Sequence, residues 1–197
     1  MERLIIIATN NVYKFNELRN ILNYFDISCK PYWDFIDKQK FPKEGTTSLS
    51  DNSFNKAKFI FDKIKIPNVL GDDSGLFINE LPNNLGITTM RELESNNCFS
   101  NYDRNKYIIS LMKHCNDRSV NLITHLTLIK SEDEVLHGIG NMKGKISFIE
   151  KGINGSGFDK IFLLDKIGKT LAEFPFKDKW CFLSRTKAFR NLMEKNQ

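Results

Sequence analysis

The chain has 197 residues, of which 41% are hydrophobic, and carries a formal net charge of +5. This length supports one domain with a full hydrophobic core, so we expect a single domain over residues 1–197. The sequence has no long apolar run and no signal-like start, which predicts a cytoplasmic protein that does not contact a membrane. Its lysines are dispersed without a basic, aromatic-bearing stripe, so we expect no nucleic-acid partner. Four scattered cysteines are expected to be free thiols.

The first predicted element is a buried strand, Leu4–Ala8, made largely of isoleucine. The polar residues Thr9, Asn10 and Asn11 follow it, and a helix is expected over Asn11–Asn23 with Lys14 near its start. Helix N-terminal amides, a hydroxyl and an ammonium group together favour anion binding. A Thr-Asn helix cap beside a solvated lysine is the alternative.

A second predicted helix spans about Asp51–Lys65, because apolar residues recur through it at helical spacing. This pattern puts Lys56 early in the helix, near its positive end, with Glu44 a short distance upstream. A solvated surface lysine is the alternative interpretation. A short strand near Ile27–Lys30 is expected before this helix.

The most informative polar segment is Asp72-Asp73-Ser74, which follows the apolar run Ile66–Gly71. We expect the run to be a short buried strand that stops at the two carboxylates, with their side chains at its polar edge. Adjacent carboxylates repel each other unless a cation or a shared proton relieves the repulsion. A divalent metal beside a phosphate would provide that relief.

The remaining patterns predict alternating elements. They are a helix at Tyr102–Lys113, strands at Val120–Lys130, Val135–Met142 and Ile146–Lys151, a hairpin turn at Ser131–Glu134, and a last helix at Ser184–Lys195. A glycine-rich turn over Gly152–Gly157 leads into a short apolar strand at Ile161-Phe162. Arg185, in the first turn of the last helix, is a further plausible anion contact because its fork suits phosphate.

Seven short motifs in this order resemble the inosine triphosphate pyrophosphatase family, which hydrolyses non-canonical purine nucleoside triphosphates. They include Thr9 to Glu17, Glu44 to Ala57, Asp72 to Leu76, Gly86 to Arg91, Gly157 to Phe162 and Gly168 to Phe174. The resemblance covers nearly the whole chain. It implies an α/β fold with an elongated mixed β-sheet flanked by helices, in two lobes with the nucleotide cleft between them. It also implies a homodimer.

The resemblance also implies a Mg²⁺-dependent hydrolase that releases pyrophosphate, with the metal held by three carboxylates: Glu44, Asp72 and Asp73. Asp73, or a metal-bound hydroxide beside it, is expected to activate the attacking water, and the catalytic set comprises Asp73, Asp72, Lys14 and Glu44. The expected substrate-binding residues are Thr9, Asn11, Lys14, Lys56, Ser74, Asp159, Lys179, Trp180, Ser184 and Arg185. In this scheme Lys179 and Arg185 clamp the nucleotide from the lobe opposite the phosphate-binding residues, and Asp159 contacts the base edge.

The chain departs from the family pattern on the base side. Ser156 stands where family members have an aromatic residue that stacks on the purine, and Ser184 stands where they have a histidine that touches the base. A stacking platform is worth roughly 1–3 kcal/mol. Trp180 is a candidate replacement, and a core or interface tryptophan is the alternative.

Two functions are compatible with these residues. One is an active pyrophosphatase for ITP-, dITP- or XTP-like nucleotides. The other is a nucleotide-sensing subunit that binds the triphosphate, turns it over slowly or not at all, and signals to an effector protein. The retained carboxylates favour the enzyme.

Overall fold

A computed structural model of the chain describes residues 4–194. These residues form two compact units. The first comprises residues 4–74, 124–140 and 184–194, and the second comprises residues 75–123 and 141–183. Within the described residues, no helix is both long enough and apolar enough to cross a membrane.

Residues 4–194 contain one mixed sheet of seven strands in the order β2-β1-β3-β4-β5-β6-β7. Strand β1 pairs in parallel with both β2 and β3, whereas β6 pairs antiparallel with β5 and β7. The strands are β1 (Ile5–Ala8), β2 (Cys29–Pro31), β3 (Val69–Ile78), β4 (Ser119–Ile129), β5 (Val135–Ile146), β6 (Phe162–Leu164) and β7 (Lys169–Thr170).

Six α-helices accompany the sheet in the described part of the chain, which confirms the predicted α/β class. They are α1 (Val12–Asn23), α2 (Leu49–Ile64), α3 (Thr89–Ser95), α4 (Asn101–Leu111), α5 (Phe176–Lys179) and α6 (Ser184–Glu194). Short 3₁₀ turns join several of them, including Trp180–Phe182 directly after α5.

The order of the first three strands places α1 and α2 on opposite faces of the sheet. The chain leaves β1 through α1 to reach β2 on one side, then returns through α2 to β3 on the other side of β1. Right-handed crossovers that run in opposite directions put their helices on opposite faces. Under α2, Ala57 and Ile60 are fully buried in a core cluster with Ile6, Ala8 and Tyr32.

Several predicted elements are confirmed with small shifts at their ends. Strand β1 and helix α1 lie where expected, and the Asn11 side chain caps α1 by accepting hydrogen bonds from the backbone of Tyr13 and Lys14. Helix α4 and the turn at Ser131–Glu134 also match. The last helix begins at Ser184 as predicted, and its predicted final residue, Lys195, lies outside the described residues.

The prediction that a strand stops at Asp72 is wrong. Strand β3 continues through both aspartates to Ile78, with Leu76 and Ile78 buried beyond them. The polar side chains do not end the strand, because each carboxylate is neutralised by a basic side chain from a neighbouring helix.

Two further boundaries also differ from the predictions. Helix α2 begins at Leu49 with Ser48 as its cap, so Lys56 lies two turns inside the helix rather than near its positive end. The strand predicted at Ile146–Lys151 is absent, because β5 itself extends to Ile146. The chain then turns away, with the Ser147 hydroxyl donating to the carbonyl oxygen of Ile149 at 2.6 Å.

Candidate functional site

Asp72 in β3 is the centre of a buried ion-pair cluster in the first unit. Its Oδ1 lies 3.1 Å from the ammonium nitrogen of Lys14 on α1, and its Oδ2 accepts a 2.5 Å hydrogen bond from Nε of Arg185 on α6. Arg185 also donates through Nη1 to Glu17 at 2.9 Å and through Nη2 to the Ser74 hydroxyl at 3.2 Å. The guanidinium is therefore held on three sides within one unit.

Asp73 has a separate set of partners on helix α2. The ammonium nitrogen of Lys56 lies 2.8 Å from Oδ1 of Asp73 and 2.5 Å from Oε1 of Glu44. The same nitrogen donates to the backbone carbonyl oxygen of Asp72 at 3.1 Å. One lysine thus holds two carboxylates that are far apart in sequence.

The neighbouring aspartates point to opposite faces of the sheet, because successive side chains of a strand alternate. Their partners agree with this: Lys14 on α1 and Arg185 on α6 contact Asp72, whereas Lys56 on α2 contacts Asp73. The pleat and the separate basic partners therefore reduce the expected repulsion between the adjacent carboxylates.

Asn52, which is not among the predicted site residues, links Asp73 to the loop that carries Glu44. Its amide nitrogen donates to Oδ2 of Asp73 at 3.0 Å and to the carbonyl oxygen of Gly45 at 3.1 Å. Its oxygen accepts from the backbone nitrogen of Gly45 at 2.8 Å. The side chain is 2% exposed and fixes both Asp73 and the loop that carries Glu44. The sequence signal for this role was an asparagine one helical turn before Lys56.

The segment after β1 supplies the predicted polar helix start. Thr9 is buried, and its hydroxyl accepts a 3.1 Å hydrogen bond from the backbone nitrogen of Asn11. The side chain of Asn11 is used in capping α1. Tyr32, fully buried, ties the same loop down because its hydroxyl donates to the Asn10 side chain and accepts from the backbone nitrogen of Gln39.

Burial and ion pairing shift the pKa values of the charged groups in this cluster in opposite directions. Burial would raise the pKa of Asp72, but Arg185 and Lys14 outweigh it and hold that pKa well below its usual range. Burial would lower the pKa of Lys56, but Asp73 and Glu44 raise it above the ordinary value. For Lys14, burial prevails, and its pKa is lowered despite the nearby Asp72.

Ser184 and Arg185 lie in the first unit, with the phosphate-side residues. The expectation that Arg185 reaches the nucleotide from the opposite lobe is therefore wrong, because its guanidinium is bound to Asp72, Glu17 and Ser74. Ser184 is 2% exposed, and its hydroxyl is hydrogen-bonded to that of Thr124 at 2.8 Å.

The second unit holds the other predicted base-side residues. Lys179 is 3% exposed, and its ammonium nitrogen lies 2.7 Å from Oδ2 of Asp159. A Cβ at Gly155 would come within 1.9 Å of that carboxylate, so only glycine leaves room for the pair. Ser156 is half-buried in the turn after Gly155, and Trp180 is half-buried in the 3₁₀ turn after α5.

The three predicted metal ligands are not brought together as one cluster. No set of three or more acidic, histidine or cysteine side chains suited to a metal is found among residues 4–194. Glu44 and Asp73 share the Lys56 ammonium, while Asp72 faces Lys14 and Arg185. The donor chemistry of Glu44 and Asp73, hard carboxylate oxygens held near one positive charge, fits a divalent cation such as Mg²⁺.

Three basic side chains gathered around carboxylates beside a capped helix start form the type of site with which α/β proteins can bind polyphosphates. Comparison with known proteins is consistent with this class. The chain belongs to the Ham1 family, whose model matches residues 5–195.

Curated relatives match over nearly the whole chain. The chain is 34% identical over 194 residues to a dihydroneopterin triphosphate diphosphatase of Limosilactobacillus reuteri, covering 98% of both proteins. It is 30% identical over 192 residues to a dITP/XTP pyrophosphatase of Caldanaerobacter subterraneus, covering 96% of this chain and 94% of that protein. Among solved structures, a HAM1 protein from Coxiella burnetii is 25% identical, with a TM-score of 0.82 over 98% of both chains.

Proposed function

We propose that the protein is a nucleoside triphosphate pyrophosphatase that hydrolyses non-canonical purine nucleotides such as ITP, dITP or XTP to the monophosphate and pyrophosphate. The observation that carries the proposal is that the Lys56 ammonium group contacts the carboxylates of both Glu44 and Asp73. The chain in which this occurs belongs to the Ham1 family. The named relatives are pyrophosphatases or diphosphatases, which favours an enzyme over the nucleotide-sensing subunit.

The chemistry assigns Asp73 as the group that accepts a proton from the attacking water. Asn52 and Lys56 fix the orientation of its carboxylate, as a general base requires. The water oxygen then forms the new bond to the α-phosphorus, and the bond from the α-phosphorus to the oxygen that bridges it to the β-phosphorus breaks, so that this oxygen leaves with pyrophosphate. Lys14, Lys56 and Arg185 neutralise charge on the phosphates, and Thr9, Asn11 and the α1 start orient them.

We also propose that Glu44 and Asp73 hold the divalent cation, with Asp72 acting mainly as the anchor for Lys14 and Arg185. When bound, Mg²⁺ would supply Lewis-acid stabilisation of phosphate charge. We further propose that Asp159, Lys179 and Trp180 contact the base, and that the whole chain works as one catalytic domain. A homodimer in the cytoplasm, with its four cysteines as free thiols, completes the proposal.

A second candidate substrate is dihydroneopterin triphosphate. The relative that acts on it is 34% identical over 98% of the chain. The residues expected to stack on a purine and to touch it are both serines here, Ser156 and Ser184. A pterin carries the same triphosphate on a different ring, so the phosphate-side residues would serve either substrate unchanged.

The test is to incubate the purified protein with Mg²⁺ and, separately, ITP, dITP, XTP, dATP, dGTP and dihydroneopterin triphosphate. Pyrophosphate release and bound triphosphate are measured together. Fast release from ITP, dITP or XTP supports the first proposal, and a strong preference for dihydroneopterin triphosphate supports the second. Tight binding with negligible release from every compound would contradict both and favour the sensing subunit. Light scattering on the same sample tests the homodimer.

A further inference from the structure

A chain of three hydroxyl groups runs through the interior of the first unit to the Asp72 cluster. The Ser184 hydroxyl lies 2.8 Å from that of Thr124, which lies 2.9 Å from that of Ser74. The Ser74 hydroxyl in turn lies 3.2 Å from Oδ1 of Asp72. Thr124 is fully buried and Ser184 is 2% exposed, so the bond between them is shielded from water, while the two bonds of Ser74 are partly buried.

Proton accounting fixes the direction of the chain. A hydroxyl donates one hydrogen bond and accepts up to two, whereas a carboxylate only accepts. Ser74 must therefore give its proton to Asp72, and its oxygen accepts from Nη2 of Arg185. The second acceptor site of the Ser74 oxygen must take a hydrogen bond donated by the Thr124 hydroxyl. Thr124 must in turn accept a hydrogen bond donated by the Ser184 hydroxyl.

In this arrangement the Ser74 hydroxyl uses all of its hydrogen-bonding capacity. It donates to Asp72 and accepts from Arg185 and from Thr124, and these three bonds fix its orientation. Ser74 contacts both members of the Asp72–Arg185 ion pair. Without a donor at position 124, the Ser74 hydroxyl loses one of the three hydrogen bonds that hold it beside Asp72 and the guanidinium. Buried hydrogen-bond networks of this kind specify one arrangement when complete and fail when one member is removed.

We propose that Thr124 and Ser184 are positioning residues for triphosphate binding, acting through Ser74 on Arg185. The inference rests on the proposed function, because it gives the cluster a triphosphate to bind. It also assigns a role to the serine at position 184, where the resemblance predicts a base-contacting histidine. The serine completes the hydroxyl chain and makes no contact with the base.

The matched variants are Thr124→Val, which keeps the shape and removes the hydroxyl, and Thr124→Ser, which keeps the hydroxyl and removes a methyl group. Each is measured for the dissociation constant of inorganic tripolyphosphate by calorimetry, for KM and kcat of pyrophosphate release, and for the thermal midpoint. We expect Thr124→Val to weaken tripolyphosphate binding and raise KM by about tenfold, while Thr124→Ser stays within about twofold of the wild type.

Ser184→Ala opens the chain at its far end but leaves Thr124 able to donate to Ser74, so it should weaken binding less than Thr124→Val; Thr124→Ala, which also removes the hydroxyl, serves if Thr124→Val does not fold. The double variant Thr124→Val/Ser184→Ala should bind tripolyphosphate no more weakly than Thr124→Val alone, because the chain is already broken. Equal binding by Thr124→Val and Thr124→Ser would overturn the proposal, as would a lower thermal midpoint with unchanged binding and KM. Wild-type protein that binds tripolyphosphate but releases no pyrophosphate would refute the proposed function while leaving the positioning role testable by calorimetry.

Discussion

The Asn52 amide and the Asp73 carboxylate are joined by a buried hydrogen bond of 3.0 Å. The same amide makes two bonds to the backbone of Gly45, next to Glu44. One side chain therefore sets both the orientation of the proposed general base and the position of the loop that carries the second carboxylate.

Replacing Asn52 with aspartate should abolish most of the activity. The new side chain has the same shape, but it cannot donate to Asp73 and places a like charge against it. We expect pyrophosphate release to fall by about a hundredfold, with a lower thermal midpoint. Asn55→Asp is the matched control, since Asn55 is exposed on the same helix. Near-wild-type release from Asn52→Asp would show that the hydrogen bond has no functional role.

Asp73→Asn should separate catalysis from binding. The amide is nearly isosteric with the carboxylate but cannot take up the proton of the attacking water, and a general base contributes about 10²–10⁴-fold. At saturating Mg²⁺, with Glu44 still present to hold the cation, we expect kcat for pyrophosphate release to fall within that range while triphosphate binding changes much less. Asp62→Asn, at an exposed position of α2, controls for the loss of one charge. Turnover within a few-fold of the wild type would remove Asp73 from the role of base.

Gly71 allows β3 to approach helix α2 closely. A Cβ at this position would lie 2.1 Å from the carbonyl oxygen of Ser53 and 2.9 Å from the backbone nitrogen of Ala57. Because backbone atoms cannot move aside locally, Gly71→Ala should destabilise the protein by about 1–3 kcal/mol or more. At Gly45 the nearest atom to a Cβ is the Asn52 side chain at 3.4 Å. Gly45→Ala should therefore unfold near the wild-type urea midpoint, and equal losses for the two variants would contradict the argument.

Arg118 should prove important for stability in the second unit. Its guanidinium donates to three backbone carbonyl oxygens, those of Ile146 at 2.6 Å, Met112 at 2.9 Å and Ser147 at 3.0 Å. Arg118→Met leaves these acceptors without their donor, and we expect a loss of about 2–4 kcal/mol in the free energy of unfolding. Arg118→Lys keeps the charge but supplies only one donor group, so its free energy of unfolding should lie between those of Arg118→Met and the wild type. Urea unfolding that does not distinguish Arg118→Met from the wild type would disprove this role.

Trp180 is the residue proposed to replace the missing stacking aromatic. If it stacks on the substrate ring, Trp180→Ala should weaken triphosphate binding by about ten- to a hundredfold, whereas Trp180→Phe retains a π-face and loses less. The binding of inorganic tripolyphosphate should be unaffected by either change, because it has no ring. A lower thermal midpoint for Trp180→Ala with unchanged nucleotide affinity would instead identify a packing residue.

Local patterns in the sequence were sufficient for the elements that bear the phosphate-side residues. Periodicity located β1 and α1, and residue type offered the helix cap that Asn11 forms as the alternative to anion binding. The extent of β3 was not predictable in the same way, because two aspartates and a serine are typical of a turn. Their partners on α1, α2 and α6 are distant in sequence, and these partners make a polar segment acceptable inside a sheet.

The position of Arg185 shows the same limit. Its motif places it at a helix start, which the structure confirms, but no local pattern states which unit that helix joins. Ser184 is similar, since its burial follows from a hydrogen bond to Thr124, 60 residues earlier. The motifs correctly located Ser184 and Arg185 at a helix start. Tertiary contacts determine which groups these two side chains meet.

The alternation of Asp72 and Asp73 across β3 has a consequence for how this segment can change in evolution. Substitutions can adjust either carboxylate separately, because each has its own helix partner. A one-residue insertion or deletion between Gly71 and Asp73 cannot change one carboxylate alone. It would move every side chain that follows in the strand to the opposite face of the sheet. Lys14 and Arg185 would then lose their shared acceptor, and a carboxylate would lie on the wrong face. The spacing within this short segment should therefore tolerate changes in length far less than changes in residue identity.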